Sequence, residues 1–213
     1  MNPDATRVLG EFGLAQWLAV AAALGWASGL RLYLVVFLTG MAGFLGLVEL
    51  PQGLKLLQHP AMLGASGFML AVEFFADKIP GVDTLWDLVH TVVRIPAGAA
   101  LAAAVFGADH ASWATVAALL GGTLAATSHA AKATTRAAVN TSPEPFSNIG
   151  LSLLGDAAVP TMLWLSWTHP VVFAVALTLA LVVMVLAIVL LAKFLRALFR
   201  RLSGWLQPAS PTP

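Results

Sequence analysis

The chain contains no cysteine, so disulfide frameworks, thiolate metal sites and cysteine nucleophiles are excluded. Charge is scarce as well. Lys, Arg, Asp and Glu make up 10% of the residues, against about 25% in a soluble domain. Eleven basic and ten acidic side chains leave a formal net charge of +1, which gives no footprint for nucleic acid. A Gly-Lys-Ser/Thr phosphate loop, a zinc-protease helix and a nucleophile elbow are also absent from the 213 residues, and with them the signatures of nucleotide binding and of common hydrolases. What is abundant is apolar: 59% of the chain is hydrophobic and mean hydropathy is +0.87. This composition belongs in a bilayer.

Uncharged apolar runs of about 20 residues cross the hydrocarbon core as helices. Residues 171–192 are the clearest such run, followed by 111–128 and by 146–167, whose only charge is Asp156. Residues 61–76 and 86–106 complete the set. Residues 12–48 are apolar except for Arg31, too long for one upright crossing, and read as two passes or one broken helix hinged at Ser28-Gly29-Leu30-Arg31. The run continues past any plausible cleavage point, so no cleavable signal peptide is expected. The fold class is therefore an all-α polytopic transmembrane bundle of six or seven spans with broken helices. Residues 1–10 form an N-terminal extension, 11–192 the membrane domain and 193–213 a basic tail. With the C-terminus cytoplasmic, nine basic residues lie on that side and only Arg7 and Lys55 opposite, the expected positive-inside bias. The tail carries Lys193, Arg196 and Arg200 on one face, as an anchor or an interfacial helix would.

Ionisable groups within membrane helices cost about 2.5–3.5 kcal/mol each and mark function by default. They are concentrated here. Glu73 and Asp77 share a helix face four residues apart; Pro80-Gly81 breaks the helix; Asp83, Asp87, His90 and Arg94 then follow on one face of the next. With Lys78, this hairpin forms a polar cleft of four carboxylates and two cations. Protons, a bound cation or Arg31, Lys132 and Arg136 from the same side must balance it. Desolvation favours a neutral Glu73 unless Arg31 or Arg94 comes within ion-pair reach. Asp156, near Ser147, Asn148 and Ser152, marks a second polar face. A third polar stretch runs from Thr127 through Lys132 and Arg136 to Asn140 and the irregular Pro-Glu144-Pro segment. Glu73-Asp77-Pro80 and Ser152-Asp156-Pro160 echo each other, the pointer to a transporter built from two repeats. Oxygen ligands from Glu73, Asp77 and Asp87 suit a labile Mg²⁺, Ca²⁺ or Mn²⁺.

The strings Ala27-Ser-Gly-Leu-Arg31, Glu73-Phe-Phe-Ala-Asp-Lys-Ile-Pro-Gly-Val-Asp83, His90-Thr-Val-Val-Arg-Ile-Pro-Ala-Gly98 and Asn140-Thr-Ser-Pro-Glu-Pro-Phe-Ser-Asn148 resemble the family called domain of unknown function 4126. The likeness covers about residues 10 to 190. It implies a bacterial inner-membrane protein and supplies no activity. Gly155 departs from the family's pattern, which has an acid before Asp156.

From the residues themselves, the first functional expectation is a small secondary transporter or channel-like carrier for an ion or small solute. Glu73, Asp77 and Asp156 would bind a cation or proton, and Asp83, Asp87, His90 and Arg94 would line the cytoplasmic mouth. The second is a lipid-phosphate enzyme or lipid carrier, in which Arg31, Lys78, Arg94, Lys132 and Arg136 hold the phosphate; it requires the basic residues to converge on one pocket. The third is a non-catalytic structural or assembly subunit that packs through Gly25-x-x-x-Gly29 and Gly40-x-x-Gly43, which leaves a homo-oligomer open. Membrane lipids are partners in all three.

Overall fold

Backbone N–H and C=O groups find no partners in hydrocarbon, so a chain this apolar must satisfy them internally. The computed structural model, which describes residues 13–79, 81–141 and 146–205, does so with helices; among the described residues there is no strand. The order is α1 (Leu14–Phe44), a 3-10 segment (Gln52–Gln58), α2 (Pro60–Ala76), α3 (Val82–Phe106), a short 3-10 turn (Ala108–His110), α4 (Ala111–Val139), α5 (Phe146–Thr168) and α6 (Pro170–Trp205). Four helices are long and apolar enough to cross a membrane: Leu14–Phe44, Val82–Phe106, Phe146–Thr168 and, within α6, Pro170–Arg201. The outside matches. Leu88, Val92, Leu119, Leu154, Val171 and Leu190 are exposed, whereas Arg31, Glu73, Asp77, Asp83 and Arg94 are buried, the inverse of a soluble globule.

The first helix is broken and folds back on itself. Arg31 has non-helical torsions (φ −147°, ψ 75°) in the middle of it. A straight helix would put Phe44 about 40 Å from Trp17 at 1.5 Å per residue, and the five residues to Glu49 reach back only about 17 Å. Yet Trp17 and Glu49 line one small cavity with Gln16, Val20 and Trp167. The chain therefore descends over residues 14–30, turns at Arg31 and returns over 32–44. The helix is broken at the expected hinge, and among the described residues the bundle has seven helical legs. Arg31 lies at one end of the bundle with Asp77, the C-cap of α2; at the other end Gln16 donates to the Trp167 carbonyl at 2.6 Å.

The turn exposes backbone that a continuous helix would satisfy, and α4 covers it. Lys132 Nζ donates to the Leu30 carbonyl at 3.0 Å and Ser128 Oγ to the Trp26 carbonyl at 2.7 Å. Such proximity requires small residues. A Cβ on Gly25 would stand 2.4 Å from Gly121 Cα, and one on Gly98 would stand 2.7 Å from Ala125 Cβ. The glycines proposed as assembly faces are thus used within the chain, Gly40 against Leu57 and Gly43 against Leu50.

The polar stretch after Thr127 is, through Val139, the second half of α4 and carries His129, Lys132 and Arg136 inward. Pro160 lies inside α5. Residues 193–205 continue α6 without a break, which departs from the interfacial-helix alternative for the tail. Pro80 and the segment with Glu144 fall outside the described residues.

Gly25→Val should lower stability by about 1–3 kcal/mol, the range for overpacking, because the added side chain meets backbone. Gly64→Ala, where a Cβ meets nothing within 4 Å, should leave it within about 0.5 kcal/mol. Thermal unfolding of the two variants in detergent measures both.

Candidate functional site

The polar residues of four legs and two turns meet around Arg31. Asp77, fully buried at the end of α2, faces Arg31 and accepts from Lys132 at 3.0 Å and Arg136 at 2.8 Å. Asp87 on α3 meets Arg94 at 2.7 Å, Lys132 at 3.1 Å and Arg136 at 3.6 Å. Arg94 also binds Glu73 at 2.7 Å. Arg31 reaches across to α5, where it pairs with Asp156 at 2.8 Å and donates to Ser152 Oγ at 2.8 Å. Lys78 closes the circuit, 3.2 Å from Asp156.

The anticipated open cleft of carboxylates is instead a packed network. Within the α2–α3 hairpin the two polar faces meet through Arg94 and Glu73; elsewhere α1 and α4 push cations between them. Among the described residues five carboxylates (Glu73, Asp77, Asp83, Asp87, Asp156) face five cations (Arg31, Lys78, Arg94, Lys132, Arg136), so their formal charges cancel. Neutrality matters because a buried ion left unpaired costs several kcal/mol.

Asp83 is held differently. Its Oδ1 accepts from the backbone N–H groups of Gly81 and Thr84, at 2.8 and 2.6 Å, and from Asn140 Nδ2 at 3.1 Å. Gly81, with φ +87°, lets the chain turn into α3, and an acid in the first turn complements the helix N-terminus. His90 is engaged at both ring nitrogens, Nδ1 with the Trp86 carbonyl at 2.8 Å and Nε2 with Tyr33 Oη at 3.2 Å. Among the described residues no group of three or more His, Asp or Glu is arranged to hold a metal ion; Glu73, Asp77 and Asp87 each face cationic side chains.

All eleven residues singled out in the sequence lie in or against this network, His90 at its edge. His129 was not singled out. Its Nε2 stands 2.8 Å from Thr91 Oγ1 and its Nδ1 3.3 Å from Arg94 Nη1. Tyr33 and Ser152 also belong. The spacing Lys132, His129, Ser128 on α4 was the available signal, since i and i+3 or i+4 share a helix face. Some buried atoms have no hydrogen-bond partner: Glu73 Oε2, Asp87 Oδ2 and Arg94 Nε.

Beside the network is a cavity of about 570 Å³ between the first leg, α4, α5 and α6. One end is apolar, with Trp26, Met162, Leu179 and Met184; at the other stand Arg31, Lys132, Arg136, Thr135 and Ser152. Among the described residues no carboxylate or imidazole lines it. Leu154, Leu179 and Val183 on its rim are exposed, so it opens sideways onto the apolar surface. Asp77 and Asp87 hold the cations from behind.

Arg94→Met should destabilise the protein by about 3–5 kcal/mol, because Glu73 is left buried without its counter-charge. Adding Glu73→Gln should recover part of that loss. A double-mutant cycle by denaturation in detergent gives the coupling; additive effects would contradict the pairing.

No curated protein and no solved structure gives a significant match to the chain. The family model described as "Domain of unknown function (DUF4126)" matches residues 18–192, which include the Arg31 turn, the α2–α3 hairpin, the polar half of α4 and Asp156. The chain therefore belongs to the DUF4126 family.

Proposed function

We propose that this membrane protein binds and carries a lipid-like anion, an apolar chain with a phosphate-bearing head, in the cavity beside Arg31. The observation that carries this reading is the division of that cavity: apolar along most of its wall, with Arg31, Lys132 and Arg136 at one end and, among the described residues, no acid in its lining. Ligand pockets are mostly apolar with a few convergent polar groups. Guanidinium groups suit phosphate oxygens because their N–H donors form a planar fork. The lateral opening admits an acyl or prenyl chain from the bilayer. Of the expectations drawn from sequence, this is the one that required its cations to converge.

A cation carrier fits less well. It needs carboxylates turned toward the solute, and the carboxylates here meet Arg and Lys instead. An enzyme on the lipid phosphate would want an acid or base within reach of the head group, and the lining supplies no carboxylate or imidazole. Carriage without covalent change is the simpler use of the site. The positive-inside bias supports a cytoplasmic position for the Arg31 end, and on this reading, in a bacterial inner membrane, the head group would be taken from that leaflet.

In native mass spectrometry, the purified protein should retain a single-chain lipid phosphate at least tenfold better than the uncharged alcohol of the same chain length. Gly155→Leu should abolish that preference by filling the cavity; a Cβ there has only Arg31 Nε within 4 Å, at 3.8 Å. Equal retention of phosphate and alcohol by the wild type would overturn the proposal. For sidedness, Lys55→Cys in this cysteine-free chain should react with an impermeant thiol reagent added to intact cells. Protection until the cells are opened would reverse the orientation.

A further inference from the structure

We infer that Asp156, which is outside the cavity lining, holds the Arg31 Nη2 group that the ligand's anionic head would use, so that binding exchanges the Asp156 carboxylate for phosphate on Arg31. This rests on the lipid-anion reading and adds a specificity-determining residue to it. Among the five carboxylates of the network, Asp156 stands apart. Its side chain is 21% exposed, whereas Glu73, Asp77 and Asp83 are fully buried and Asp87 is 3% exposed. Among the described residues Asp77 faces three cations on two elements, Arg31 on α1 and Lys132 and Arg136 on α4; Asp156 faces two, Arg31 and Lys78.

Arg31 is the shared group. It lines the cavity and pairs with Asp156 at the same time. Ser152 Oγ accepts from both Arg31 and Lys78, at 2.8 and 3.3 Å, and also lines the cavity. The two donors and the hydroxyl that now surround Asp156 are the set a phosphate oxygen would use. Lys78 is itself 20% exposed and rests over the Phe74 ring, 3.1 Å from its centroid, so it can follow an incoming anion without leaving a dry interior. The groups that face Asp156 are Arg31 from α1, Lys78 from the α2–α3 turn and Ser152 from its own helix. Asp77 pairs with the other terminal nitrogen of Arg31, Nη1, and keeps that guanidinium in place when Asp156 leaves Nη2. Asp156 and a phosphate cannot both take Nη2 at low cost, because like charges a few ångströms apart repel strongly in a site with little water.

A competitor, once removed, should make the ligand bind more tightly. Asp156→Asn, Asp156→Ser and Asp156→Glu are compared with wild type in nanodiscs by titration calorimetry. The probes are inorganic phosphate, a single-chain lipid phosphate and the matching uncharged alcohol. The Asn and Ser variants should bind lipid phosphate about tenfold more tightly, the scale of one charge at close range in a partly hydrated site. Their affinity for the alcohol should be unchanged, and the Glu variant should resemble wild type. A parallel gain for inorganic phosphate assigns the effect to the head group alone; a gain confined to the lipid ties it to a seated chain, and both support the exchange. Weaker or equal phosphate binding by the Asn and Ser variants, with wild type binding normally, overturns the exchange and spares the carrier reading. No phosphate preference in wild type overturns both. Should neither neutral variant fold, infrared difference spectra of wild type decide: phosphate must shift a carboxylate band, and an unshifted spectrum refutes the inference.

Discussion

One guanidinium organises this bundle. Arg31 lies at the break in α1, and its two acidic partners, Asp77 and Asp156, come from opposite sides of it. An arginine at that depth forbids a continuous apolar helix, and the backbone it disrupts needs donors of its own. Lys132 supplies one by binding the Leu30 carbonyl, which draws the polar half of α4 inward and with it Arg136. Asp77 and Asp87 then follow as counter-charges. Remove Arg31 and the rest of the polar interior has no reason to be where it is.

The energetics of such an interior are those of cancellation. Each ion pays for desolvation, and the attraction between partners repays this only when geometry is good and every remaining lone pair is used. Five against five meets the first condition. The second is met incompletely at Glu73 Oε2, Asp87 Oδ2 and Arg94 Nε on the α2–α3 side, and at Arg31 Nη1, which meets Asp77 as an ion pair. A network built for stability alone would be better served by apolar residues of the same volume.

Much of this was readable in the residues. Uncharged runs gave the helices, and the clustered charges between Glu73 and Arg94 gave most of the network. The likeness carried by Glu73 through Asp83 gave the family. What sequence could not give was pairing. Arg94 meets Glu73 across the hairpin, but Asp77 is answered by residues from α1 and α4, and no local spacing encodes that. His129 was passed over because a lone histidine among alanines has no partner until α3 is placed beside it. The cavity was out of reach for a simpler reason: it is a gap between four legs, bounded by residues that individually look like ordinary packing.

Sequence separation gives the Arg31 turn a consequence for biogenesis. Ser152, which binds Arg31, lies 121 residues further along the chain, and Lys132, which binds the Leu30 carbonyl, lies 102 further. At synthesis rates of about 5–20 residues per second, the wait for Ser152 is about 6–24 s. The guanidinium gains its first counter-charge when Asp77 emerges, but the Leu30 carbonyl waits for Lys132 and the far end of the guanidinium for α5, and hydrocarbon supplies no substitute for either. The hairpin, although translated first, is therefore among the last pieces to be fully satisfied.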